Sequence, residues 1–120
     1  MGRVRGAASR ALPGARLIFR RARFSGVIGR QLDLFEREHA DVVREATQRL
    51  KQYNVAERDE AEELYGDYVD AVETGTEILA DIRDHFARTL DEDTAERYER
   101  EFNRAVAKRL PPFALEIENR

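Results

Sequence analysis

Residues 61–86 read AEELYGDYVDAVETGTEILADIRDHF, and the spacing of their apolar positions decides the fold class. Ala61, Tyr65, Tyr68, Val72, Gly75, Leu79, Ile82 and Phe86 follow one another at intervals of four and three without interruption. A strand would alternate every second residue. Steps of four and three instead keep eight side chains on one face of an α-helix, as in helices packed lengthwise. The spacing predicts a helix from about Val55 to Leu90. Leu64, Val69 and Ile78 flank its seam and offer a second stripe for a third helix or another subunit. Gly75 interrupts the seam. Glycine costs about 1 kcal/mol against alanine inside a helix, and its place in the seam points to a close approach by a neighbouring helix.

Upstream, a similar seam runs through Ile28, Leu32, Phe35, His39, Val42, Ala46, Leu50 and Tyr53. It predicts a first long helix from about Val27 to Tyr53, with Arg37, Asp41, Arg44, Glu45 and Gln48 on the far side. Asn54 followed by Glu57 has the form of a capping box, so the chain is expected to turn back there and lay the second seam on the first. Downstream, Asp93 and Glu96 form another capping pair. A third helix is expected from about Thr94 to Leu110, with Ala95, Tyr98, Phe102, Ala105 and Val106 inward. Lys108 and Arg109 suit its C-terminal dipole, and Pro111-Pro112 stop it. The alternation in Phe113 to Glu118 reads as an extended tail.

The expectation is an all-α protein: a long antiparallel, coiled-coil-like helical hairpin plus a shorter third helix. Three segments follow: a basic arm over residues 1–26, a helical bundle domain over 27–110 and a C-terminal extended tail over 111–120. The arm is expected to be flexible or short-helical, with Ala15 to Phe24 as its helical part. The chain's 120 residues suit one domain. Hydrophobic residues at 42% and charged residues at 38% suit amphipathic helices with one buried stripe each, not a thick layered core. There is no cysteine, which excludes disulfides and thiolate metal sites. No apolar run reaches the length of a bilayer span, and arginines interrupt every apolar stretch near the N-terminus, so no secretory core is present.

The net charge of −3 conceals a division. Residues 1–32 hold eight arginines and no acid, whereas the remainder holds 13 basic and 24 acidic residues. A basic arm on an acidic body is the feature least expected from composition alone. Arg16, Arg20, Arg21 and Arg23, interleaved with Leu17, Ile18, Phe19 and Phe24, are candidates for contact with an anionic surface. Residues 1–30 suit nucleic-acid phosphate through counterion displacement, or an anionic membrane with the apolar residues inserted. They also suit an organellar presequence, or an arm that folds back on the acidic body or stays solvated. No sequence-specific nucleic-acid motif accompanies them. The expected compartment is the cytoplasm, or an organellar matrix if the arm is a presequence.

One pattern carries possible metal chemistry. Glu36 and His39 form a Glu-x-x-His unit, which on a continuous helix sets a carboxylate and an imidazole one turn apart. Helical di-iron and di-manganese carboxylate proteins use two such units with two further glutamates. Glu73, Glu77, Asp81 and His85 are further donors. The chain has a single unit, so an iron or manganese site would need two copies. With 24 acids in the chain, a carboxylate near a histidine also arises by chance, and His39 serves equally as a packed seam residue. No nucleophile motif, dinucleotide fingerprint or phosphate loop is present, and no small-molecule substrate is evident. The sequence therefore favours a non-enzymatic interaction or assembly protein that meets its own copy or a partner helix, with no cofactor. The alternatives are a dimeric carboxylate–histidine metal protein and a peripheral membrane or non-specific nucleic-acid binder.

Overall fold

The computed structural model describes residues 23–120. Its elements are α1 (Ser25–Glu38), α2 (Ala40–Asn54), α3 (Ala61–Ala87), α4 (Glu92–Arg109), a 3-10 turn (Pro111–Phe113) and α5 (Ala114–Glu118). The protein is all-α, with no strand among the described residues. None of its helices is long and apolar enough to cross a membrane.

The first expected helix is two helices. The chain departs from helical geometry at His39, where φ is −126° and ψ is 40°. The hydrogen bonds nevertheless bridge the break: His39 N donates to Phe35 O at 2.8 Å, and Val43 N donates to His39 O at 3.1 Å. This bend redirects the seam. Ile28, Leu32 and Phe35 of α1 are buried, and α1 lies on α4, not on the start of α3. Phe24 meets the Tyr98 ring edge-on at 5.4 Å. The Tyr98 hydroxyl donates to Gln31 Oε1 at 2.9 Å, and Arg109 Nε donates to Glu36 Oε2 at 3.0 Å. Ascending positions in α1 thus meet ascending positions in α4, so the two helices run parallel.

Past the bend, α2 meets the first half of α3 in descending order. Tyr53 lies 5.3 Å from Tyr65 between ring centres, and Arg49 lies 3.9 Å from Asp67. Helix α3 begins at Ala61, six residues later than the Asn54–Glu57 pair implied, and its N-cap Glu60 makes no side-chain cap. It ends at Ala87 and is followed by i→i+3 bonds from Thr89 and Leu90 that satisfy the last carbonyls. Helix α4 begins at Glu92, two residues earlier than expected. Its cap is Asp91, not Asp93: Thr94 N donates to Asp91 Oδ1 and the Thr94 hydroxyl to Oδ2, each at 3.0 Å. Those bonds hold the Asp91 carboxyl below its ordinary pKa.

The C-terminal segment is the largest correction. It is not extended. Pro111–Phe113 forms a 3-10 turn and Ala114–Glu118 a short helix, and Phe113 and Ile117 are fully buried. The alternation of Phe113, Leu115 and Ile117 mimicked a strand, yet Phe113 and Ile117 are four apart and share a helical face, while Leu115 is exposed. The 3-10 turn packs against α2, α3 and α4. The Phe113 ring stands perpendicular to Phe35 at 6.1 Å and fills the space over Gly75. A Cβ at residue 75 would lie 2.7 Å from Phe113 Cζ and 3.1 Å from Cδ1. The close approach expected at Gly75 is therefore made by an aromatic ring of the C-terminal segment, not by a helix backbone.

Arg83 fastens the same segment. Although charged, it is only 5% exposed. Its Nη1 donates to the Ile117 carbonyl and to Asn103 Oδ1, both at 3.0 Å, and its Nε donates to Asp84 Oδ1 at 2.8 Å. One guanidinium thus joins α3, α4 and the end of α5, a use of its planar fork that lysine cannot reproduce.

Candidate interaction surface

Packing divides the molecule into two unequal ends. From Val72 onward, α3 buries Val72, Gly75, Thr76, Leu79, Ala80, Arg83 and Ala87. There it is covered by α4, the 3-10 turn and α5. Before Val72, no residue of α3 is buried, and Ala46 is the sole buried residue of α2. Among the described residues, the far end around Tyr53 and Tyr65 is therefore two helices in contact with no third layer over them.

Apolar side chains remain there. Tyr65 is 51% exposed and Val55 80% exposed. Leu50, Tyr53, Leu64, Tyr68 and Val69 are half-buried. The three tyrosine rings cluster: Tyr53 lies parallel to Tyr68 at 6.5 Å, and Tyr65 lies 6.3 Å from Tyr68. The Tyr68 hydroxyl donates to the Pro112 carbonyl at 3.1 Å, tying the cluster to the C-terminal segment. Burial, then the neighbouring Tyr65 and Glu116, raise the Tyr68 phenol above its ordinary pKa.

The surroundings are acidic. Residues 55–77 hold nine acids against the single base Arg58. On α3, successive positions turn by about 100°, so Tyr65 and Val69 share an edge with Glu62 and Glu73, and Glu63, Asp70 and Glu77 lie just beyond. Glu62, Glu63, Asp70, Glu73 and Glu77 are all exposed. Such a surface suits a partner that brings apolar side chains flanked by positive charge.

Of the seam residues expected from sequence, Leu32, Phe35, Val72 and Leu79 are core, and Val42, Tyr68, Ile82 and Phe86 are partly buried against it. Tyr65 departs from the expectation, because α2 covers only one side of it. Of the anionic-surface candidates, Arg23 is exposed, with its guanidinium 5.3 Å from the Phe24 ring centre. Arg16, Arg20 and Arg21 lie outside the described residues. Phe24, placed in the arm by its sequence, is buried in the core at the start of α1.

Glu36 and His39 each have another neighbour. His39 stands at the bend, its ring tilted on Phe35 at 5.6 Å. Glu36 is engaged by Arg109, accepting from Nε at 3.0 Å and from Nη2 at 3.1 Å, while Asp33 accepts from the same Nη2. These bonds hold the Arg109 proton more tightly than usual. Among the described residues, no group of three or more histidines and carboxylates is placed to hold a metal ion.

A hollow of about 330 Å³ lies between α1 and α4, lined by Ile28, Leu32, Ala105, Arg104 and Lys108. Glu101 borders it. One carboxylate oxygen of Glu101 accepts from Phe24 N at 3.3 Å, and the other is buried with no partner among the described residues. Sequence reasoning missed Glu101, Arg83 and the Gly75–Phe113 pair. Only Gly75 carried a readable signal, a glycine standing in an otherwise apolar seam. The chain matches no family model, no curated protein and no solved structure.

Proposed function

We propose that this chain is a non-enzymatic assembly protein, and that the open end of the α2–α3 pair is its interaction surface. The pair is read as an antiparallel, coiled-coil-like hairpin: anchored at one end in a helical bundle, with the other end projecting as a two-helix finger. The observation that supports this most directly is the contrast along α3, where Val72 and later seam residues are buried and Tyr65 is half-exposed. Two helices in contact cannot remove a stripe as wide as Leu64, Tyr65, Tyr68 and Val69 from water. A third element completes that burial, and full burial of a single large apolar side chain contributes about 1.5–3 kcal/mol.

Sedimentation velocity of the full chain across micromolar concentrations tests the reading. Reversible growth in mass with concentration is expected, together with a loss of association on Tyr65→Ser. A strict monomer that captures no helical partner would refute it.

A further inference from the structure

We infer that the acidic finger of one copy receives the basic N-terminal segment of another, so that copies join head to tail. The inference rests on the assembly reading above and names its partner.

Charge complementarity is the first support. The finger side of α3 and the turn before it, residues 55–71, carry seven acids and one base, and residues 1–32 carry eight arginines and no acid. Each region bears unlike-charged residues for the other and like-charged residues for itself. A finger-to-finger dimer would face acid with acid, whereas an arm on a finger neutralises both. Side-chain chemistry is the second support. The segment 16–23 interleaves Leu17, Ile18 and Phe19 with Arg16, Arg20, Arg21 and Arg23. The finger sets Tyr65 and Val69 beside Glu62, Glu73 and Asp70. Apolar residues would meet the tyrosine edge while guanidiniums meet the carboxylates, an arrangement in which arginine forks bind in pairs.

Reach requires a second copy. Tyr98 contacts both Phe24, at 5.4 Å, and Phe86, at 4.8 Å, so the arm leaves the body beside Phe86. Tyr65 precedes Phe86 by 21 positions of one continuous helix, a distance of about 31 Å. Leu17 precedes Phe24 by seven residues, which span at most ~25 Å when fully extended. Leu17 therefore falls short of Tyr65, the centre of the exposed edge, on its own chain. Phe24, where the segment joins the body, and Tyr65 lie toward opposite ends of α3. Such a contact is heterologous, and it generates rings or open chains in place of a closed two-fold dimer.

Charge exchange tests this on the full chain. One variant reverses the arm (Arg16→Glu, Arg20→Glu, Arg21→Glu), and a second reverses the finger at exposed positions (Glu62→Lys, Glu63→Lys, Asp70→Lys). Circular dichroism reports that each is folded. The expected result by sedimentation is that wild type associates and that its affinity falls at high salt. Each variant alone should associate at least tenfold more weakly. An equimolar mixture of the two should regain association, as should a single chain carrying all six changes. Unchanged association in either variant, or a mixture that stays monomeric, overturns the head-to-tail contact but leaves self-association standing. A wild type that remains monomeric at every concentration removes both. If the arm reversal abolishes binding to phosphatidylserine vesicles and leaves the sedimenting mass unaltered, the arm belongs to a membrane and the inference fails.

Discussion

The Phe113 ring occupies the space that any side chain at residue 75 would need. Its Cζ would lie 2.7 Å from a Cβ placed there, inside the distance at which carbon atoms repel. Helix propensity and packing thus make opposite demands on Gly75. Alanine would gain about 1 kcal/mol as a helix former. Overpacking in a filled core costs about 1–3 kcal/mol, and the ring has little freedom to retreat because Phe35 stands against it. Gly75→Ala is expected to be destabilising by about 1 kcal/mol net, and Phe113→Leu in the same chain should recover part of the loss. Thermal unfolding of the two single variants and the double variant measures this. A more stable Gly75→Ala protein would show that propensity wins and that the ring moves freely.

The Arg83 side chain joins three elements, and its removal strands the groups it serves. Arg83→Ala leaves the Ile117 carbonyl and the Asn103 amide oxygen without their donor. The expected loss is about 3 kcal/mol in denaturant unfolding. Arg83→Lys should restore only part of it, since an ammonium cannot span the same acceptors. Amide exchange should quicken over residues 114–118 in both variants. Equal exchange in wild type and Arg83→Ala would mean that α5 is held by Phe113 and Ile117 alone.

The Tyr98 hydroxyl is buried, and burial raises its pKa to about 12, partly opposed by its bond to Gln31 and by the charge of Arg83. An unfolded tyrosine titrates near 10. The folded state therefore holds this proton more tightly, and the associated stability is complete below pH 10. It is lost as pH rises from about 10 toward about 12. Alkaline titration by ultraviolet absorbance should show Tyr98 ionising well above pH 10 and together with unfolding. Tyr98→Phe should flatten the alkaline loss of stability. If Tyr98 ionises near 10, as an unfolded tyrosine does, the ring is not sealed in the core.

Arg109 clasps α1 to α4 at the surface through Glu36 and Asp33. Two-point carboxylate geometry favours the contact, but salt screens an exposed pair and the worth of such bridges is at most ~1 kcal/mol. Arg109→Ala should lower stability modestly at low ionic strength and negligibly at 1 M salt. A salt-independent loss above that scale would indicate that the arginine stem, not its charge, matters through packing on Leu32 and Ala105.

The helical class and most of the core were legible in the sequence, because spacing of four and three reports directly which side chains share a face. Leu32, Phe35, Val72, Leu79, Tyr98, Phe102 and Val106 are all buried as that spacing implied. What spacing does not report is which face meets which. The seam from Ile28 to Tyr53 is continuous in sequence, yet its first half serves α4 and its second half α3, because the backbone bends at His39. His39 is neither proline nor glycine, so no local breaker announced the bend. The C-terminal segment was misread because a six-residue stretch fits periods of two and of four equally well. For the candidate surface, the acidic composition and the surplus stripe at Leu64 and Val69 were visible beforehand. The exposure of Tyr65 was not, since it follows from the absence, among the described residues, of a third layer over the start of α3.

Gly75 and Phe113 also set an order of events during synthesis. They are 38 positions apart, and a ribosome needs roughly 2–8 s to cover such a stretch. Throughout that interval the nascent α3 presents an open notch beside Val72 and Leu79, greasy and without its plug. Helices α1 to α3 can form as they emerge, but the keystone arrives last. A chaperone that shields the notch would have most to do in those seconds, and a polypeptide halted before Phe113 would leave it unfilled.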